Sequence, residues 1–215
     1  MDDLTSLLYY SRMRFITQLL PLLLQASPSH IISVFSPKRD AALFEDDLSL
    51  RQPGHYSFVN MGSHVSYLTT FYFEELAARY PGKLSLVHYY PGIVLTKGFL
   101  DPKLPGLFKI VYSIVSPIAR PFTVKRAESG ARVIFNASTR FPAGPSGATS
   151  KDGLEVAKSS NSVVGGGAYR VDWNGEILPK GEVYKKLEQN GMSQKVWEHT
   201  NEAFKEISAG GVFTG

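Results

Sequence analysis

The sequence predicts an α/β fold in which a parallel sheet is flanked by helices. Two apolar runs of strand length, His30 to Ser36 and Leu84 to Tyr90, enclose a segment with helical periodicity from Tyr56 to Tyr80. Strand, crossover helix, strand is the βαβ unit of a parallel sheet, and its hand is almost always right. A third strand-like run, Gly167 to Asp172, follows after further helical segments. At 215 residues the chain fits one domain with a sizeable core.

Taken in order, Leu4 to Gln25 predicts a helix with Leu8, Phe15, Leu19 and Leu22 as its apolar face. Asp2 and Asp3 suit its start, where the helix dipole favours anions, and Ser27-Pro28-Ser29 ends it. The strand from His30 is apolar on both sides and is expected to be covered on both. Pro37 to His55 predicts a polar loop with Glu45, Asp46 and Asp47 in solvent. No His or further carboxylates are spaced there to make a metal site. Tyr56 opens a helix with Val65, Leu68, Tyr72 and Leu76 on one face, stopped by Pro81-Gly82.

Pro91-Gly92 turns the chain after the second strand. Leu104 to Ala119 is expected to be a helix over a pocket, kinked at Pro117. Thr123 to Ala137 predicts another helix, with Ala127, Ala131, Val133 and Ile134 inward. Phe141 to Gly166 is rich in Gly, Ser and Pro and predicts a long mobile loop. Gly165-Gly166-Gly167 reads as its flexible end. A Trp173-Asn174-Gly175 turn and two helices, near Pro179 to Gln189 and Ser193 to Ser208, close the chain.

Composition excludes several classes. The net charge of +4 is modest, and the basic residues form no run, so no nucleic-acid partner is expected. Lys38-Arg39 and Lys185-Lys186 read as solvated surface. Without cysteine there is no disulfide, thiol nucleophile or Cys-ligated zinc. Arg12, Arg14 and Pro21 interrupt the first apolar stretch and Lys109 the second, so no integral membrane span is expected. Surface attachment through Leu104 to Ala119 is a minor alternative. The start Met1-Asp2-Asp3 does not suit a signal peptide, and a cytoplasmic protein is expected.

Functional groups of open parallel sheets gather at the carboxyl ends of the strands, where Ser36 and Thr96 fall and which Tyr56 can reach. Pro91-Gly92-Ile93-Val94-Leu95-Thr96 is an ungapped P-G-x-V-x-T motif. With Ser36 closing one strand and Tyr56 opening the next helix, the sequence resembles the C-terminal part of a short-chain dehydrogenase/reductase of the divergent fungal biosynthetic type. The run Lys195-Val196-Trp197-Glu198-His199-Thr200 adds a weaker likeness. The resemblance covers nearly the whole chain and implies a single partial domain. Its fold would be an incomplete doubly wound, Rossmann-like sheet whose N-terminal βαβ units are absent from these residues.

The resemblance implies Ser36 and Tyr56 as catalytic residues, Asn60, Pro91, Gly92 and Thr96 near the cofactor, and NADP or NAD as that cofactor. In the family the Tyr hydroxyl exchanges a proton with the substrate oxygen, the Ser holds that oxygen, and hydride passes to or from nicotinamide. A Lys four residues after the Tyr lowers the Tyr pKa, but here Asn60 stands in its place. No Lys lies between Lys38 and Lys83, and no Tyr has a Lys four positions later. Without such a cation a tyrosine has a pKa of about 10, and roughly one in a thousand is ionised at neutral pH.

Dinucleotide binding also needs a Gly-rich turn after a first strand, and the first glycine here is Gly54. The Asn that the family carries on a helix, expected near Leu8, is missing too. His64 and His88 are further acid-base candidates, each more readily explained as a structural hydrogen-bonder. Two functional expectations follow. One is an oxidoreductase acting on a carbonyl or hydroxyl of a small lipophilic secondary-metabolite intermediate, with Leu104 to Ala119 as lid. The other is a catalytically inactive truncated homologue, binding as a homodimer or heterodimer through the first helix and the helix after Tyr56.

Overall fold

A computed structural model describes residues 3–26, 28–38, 43–95, 106–144, 149–213 and 215. A first helix, α1, is built from an α-turn Asp3–Thr5, a π-helical turn Ser6–Tyr10 and an α-helix Ser11–Gln25. It leads to β1 (Ser29–Val34), α2 (Phe58–Arg79), β2 (Leu84–Tyr89), α3 (Gly106–Ala119) and a 3₁₀ turn Arg120–Phe122. Then come α4 (Arg126–Phe135), β3 (Ala168–Val171), α5 (Glu182–Gln189) and α6 (Met192–Ser208). The described strands form one all-parallel sheet in the order β1-β2-β3, with Ser29 opposite Leu84 and Leu86 opposite Ala168. This is the expected α/β architecture, an open parallel sheet with flanking helices.

The pleat divides the core in two. Leu84, Leu86 and Ala168 point toward α2 and join a large cluster with Tyr9, Met13, Phe71, Tyr184 and Val196. Val87, Tyr89, Tyr169 and Val171 point to the opposite face, against Phe141 and Ala157. The stretch expected to be a mobile loop therefore covers one face of the sheet. Two of its glycines are packed as well: a Cβ on Gly144 would lie 2.7 Å from Gly82 Cα, and one on Gly166 would lie 2.8 Å from Ser159 Cβ. Gly167 has φ +88°, and a Cβ there would lie 2.9 Å from the Ala143 carbonyl and 3.3 Å from the Ala77 methyl.

α1 departs from its predicted register. Phe15, Leu19 and Leu22 are exposed, while Tyr9, Tyr10, Met13 and Ile16 are buried. The π-helical turn inserts an extra residue and brings two consecutive tyrosines inward, where α6 supplies polar partners. Tyr9 Oη lies 2.6 Å from Thr200 Oγ1, and Tyr10 Oη 2.6 Å from His199 Nε2. The Lys195 to Thr200 run thus clamps α6 to the core. Trp197 of the same run stacks on Tyr72 at 5.0 Å, with the Arg79 guanidinium 4.3 Å from its ring centre.

Other departures have equally local causes. β1 is only partly covered, and Val34 is exposed; among the described residues it pairs with β2 alone. α4 has no fully buried residue: Ala127, Ala131 and Ile134 are exposed, and of the four expected to face inward only Val133 is partly buried, against the cluster of Phe141 and Ala157. Within the 37–55 loop, Leu48 and Leu50 are core residues. Asp47, expected in solvent, is buried and accepts the Arg51 N–H at 2.8 Å, the Gln52 N–H at 2.9 Å and a bond from His55 Nδ1 at 2.9 Å. Burial would raise its carboxyl pKa, but these donors outweigh burial and hold it below the ordinary value. No helix among the described residues is long and apolar enough to cross a membrane.

Candidate functional site

The carboxyl ends of the strands are in register. Phe35 N–H donates to the Tyr89 carbonyl (3.0 Å) and Tyr90 N–H to the Val171 carbonyl (2.9 Å). Ser36, Tyr90 and Asp172 therefore leave the sheet at one edge. Gly92 turns the chain there with φ +76°, and a Cβ on it would come 2.6 Å from Val124 Cγ2 and 3.2 Å from Trp173 Cβ. Only glycine permits this approach. The segment after it is pinned from α4's side: Val124 N–H donates to the Ile93 carbonyl (2.9 Å) and Arg126 Nε to the Leu95 carbonyl (3.0 Å).

These contacts leave an open cleft of about 390 Å³, lined by Lys38, Tyr90, Gly92, Ile93, Pro121, Phe122, Thr123, Val124, Glu128 and Trp173. That size and its aromatic walls suit a small, largely apolar ligand. Lys38 is not simple solvated surface. Its Nζ lies 2.5 Å from Asp172 Oδ2 and 5.2 Å from the centre of the Tyr90 ring. Buried Arg170 fixes the turn that carries it, donating to the Pro37 carbonyl and, at 3.0 Å, to the Pro179 carbonyl.

Of the residues expected from sequence, Gly92 lines the cleft; Ser36, Tyr56, Asn60 and Pro91 are not among its lining residues. Thr96 lies outside the described residues. Ser36 is half-buried just beyond β1. Tyr56 is exposed and precedes α2, whose N-cap is Ser57; Ser57 Oγ accepts the Asn60 N–H at 3.1 Å. Thr70, the α2 residue bonded to His88 of β2, lies roughly 18 Å along the helix axis from Phe58 at 1.5 Å per residue. Tyr56 therefore stands well beyond the strand ends.

The two candidate histidines are structural. His64 Nε2 accepts the Phe44 N–H at 3.1 Å, and its Nδ1 lies 3.4 Å from the Leu48 carbonyl. Burial pushes its pKa down to about 4. His88 bonds Thr70 through Nδ1 at 2.9 Å. Burial, then the charges of Arg170 and Arg12, push it down to about 3. Both rings are neutral at physiological pH.

Neither Asn60 nor the triple glycine offers a nicotinamide dinucleotide a grip. Asn60 Nδ2 is committed to the His55 carbonyl at 2.9 Å. Gly166 packs on Ser159, and Gly167 on Ala143 and Ala77, so the triple glycine forms no open cradle for a pyrophosphate. Among the described residues no group of His, Asp and Glu could hold a metal ion. Sequence reading missed Lys38, Tyr90, Phe122 and Trp173. The available signal for Lys38 was its place two residues after Ser36, at a strand's carboxyl end.

No family model matches the chain, and no solved structure matches it significantly. Curated proteins do. The chain is 35% identical over 215 residues to a short-chain dehydrogenase/reductase of Stachybotrys chartarum, covering 97% of this chain and 60% of that protein. It is 36% identical over 205 residues to an oxidoreductase of Emericella nidulans, covering 93% and 60%. It is 32% identical over 211 residues to an NmrA-like family domain-containing oxidoreductase of an Aspergillus species, covering 98% and 59%. The chain thus spans about three fifths of the length of these relatives. Along nearly all its residues the chain is therefore similar to a short-chain dehydrogenase/reductase and to fungal oxidoreductases, and its open parallel sheet agrees with a partial Rossmann-like fold.

Proposed function

We propose that this chain is the substrate-handling part of an NAD(P)-dependent oxidoreductase acting on a carbonyl or hydroxyl of a small lipophilic compound. The apolar cleft at the strand ends, beside Gly92, carries the reading. The relatives' names support oxidoreductase chemistry, and the exposed ring of Phe122 in the cleft lining, just past the end of α3, whose Ile110, Ile114 and Ile118 are also exposed, supports a lipophilic substrate. In this reading Tyr90, in the cleft wall beside Lys38, donates a proton to the substrate oxygen. The alternative is the pair implied by the family resemblance, with Tyr56 as donor and Ser36 holding the oxygen, although neither lines the cleft. Reduction of an aromatic ketone at millimolar NADPH tests both. Tyr90→Phe is expected to abolish whatever turnover is found. Loss in Tyr56→Phe alone would transfer the role to Tyr56, and unchanged turnover in both would remove tyrosine from the mechanism.

A second reading, a non-catalytic binding partner, is favoured by one observation: Leu7, Phe15, Leu19 and Leu22 of α1 face outward. Light scattering distinguishes it. A dimer that Phe15→Glu dissociates supports a binding role, and a monomer at all concentrations opposes self-association. A compartment inside the cell remains part of the proposal and is testable by fractionation.

A further inference from the structure

We propose that the cleft selects an uncharged, flat carbonyl compound over an anionic one, with the Lys38 ammonium donating to the ligand's oxygen. This rests on the reading of the cleft as the substrate site.

The charges that line or back the cleft cancel in pairs. Lys38 is held 2.5 Å from Asp172, and Glu128 lies 2.6 Å from Arg132. Asp172 is fixed in turn, since its Oδ1 accepts the Trp173 N–H at 2.6 Å. Among the lining residues a carboxylate or phosphate meets no uncompensated cation, and it brings its charge toward two carboxylates. An ammonium carries three N–H donors. Asp172 takes one, and the Tyr90 ring face lies 5.2 Å away, which leaves capacity for a neutral carbonyl oxygen.

The walls specify shape. Arg132 Nη1 donates to the Trp173 carbonyl at 2.6 Å, and its guanidinium sits 5.1 Å from the Trp173 ring centre. Arg132 thereby holds Trp173, whose indole lines the cleft as a flat wall. Val124 closes the floor against Gly92, and Phe122, 81% exposed, stands at the rim. Planar apolar surface with a single charge-assisted donor fits an aromatic or conjugated ketone or aldehyde.

Equilibrium dialysis of the chain against 2-acetylnaphthalene and against 2-naphthoate tests this, the two probes differing in charge but little in shape. The ketone is expected to bind more tightly. Lys38→Met is expected to weaken ketone binding about five- to tenfold, the scale of one net hydrogen bond in a cleft open to solvent. Asp172→Asn, which frees the ammonium's charge, is expected to shift preference toward 2-naphthoate, and its far-UV spectrum reports folding. Tighter binding of 2-naphthoate to the unaltered chain, or ketone binding indifferent to Lys38→Met, overturns the inference and leaves the cleft as a ligand site. Binding of neither probe overturns the reading of the cleft itself.

Discussion

His64 and His88 tie the protein's stability to pH. An unfolded histidine takes up its proton near pH 6.5, whereas burial holds these two down to about 4 and about 3. Below pH 6.5 the unfolded chain binds more protons than the folded one. Stability is therefore full above that pH and falls as the pH is lowered toward 4. Each ring contributes up to about 1.4 kcal/mol per pH unit across that window. Urea midpoints are expected to drop between pH 7 and 5, less steeply in His64→Gln; a flat profile would contradict the burial of both rings. Gly92 makes a second test at this scale. Gly92→Ala places a methyl 2.6 Å from Val124 at φ +76° and is expected to cost about 1–3 kcal/mol, with loss of cleft binding. Gly92 was legible because a Pro-Gly turn after a strand is a local signal. Lys38 was not, because its meaning depends on Asp172 and Tyr90, which only the parallel pairing of β1, β2 and β3 brings to one edge.

At the scale of elements, α1 shows why periodicity alone misjudged a face. Leucines at helical spacing mark an apolar stripe, but the π-helical turn at Ser6–Tyr10 and the hydroxyl partners on α6 decide which stripe turns inward. Met13→Ala is accordingly expected to lose about 2–5 kcal/mol in urea unfolding, and Phe15→Ala under about 0.5 kcal/mol. The reverse order would restore the register that spacing suggests. α2 was the most legible element, since Val65, Leu68, Tyr72 and Leu76 are all buried. Its exposure was overestimated nonetheless. α6 covers the side away from the sheet, a contact set by residues more than a hundred positions later. The Phe141 to Gly166 stretch was illegible for the opposite reason. Gly, Ser and Pro mark irregular backbone, and irregular backbone can still seat Phe141 and Ala157 against a sheet.

Across the whole molecule, fold class followed from order alone: strand, helix, strand, helices, strand gives a parallel sheet by connection rules. What order does not reveal is how one edge of that sheet is equipped. β1 offers its outer side without a paired strand among the described residues, and Arg12 Nη1 reaches the Val34 carbonyl there at 2.9 Å. At the carboxyl end, a braced apolar cleft coexists with glycines too tightly packed to cradle a pyrophosphate. On the proposed reading, the cleft takes its ligand without a dinucleotide grip among the described residues. Titration of the 215-residue chain with NADPH, followed by calorimetry, tests this most directly. No saturable binding below the millimolar range is expected, and a micromolar dissociation constant would contradict it.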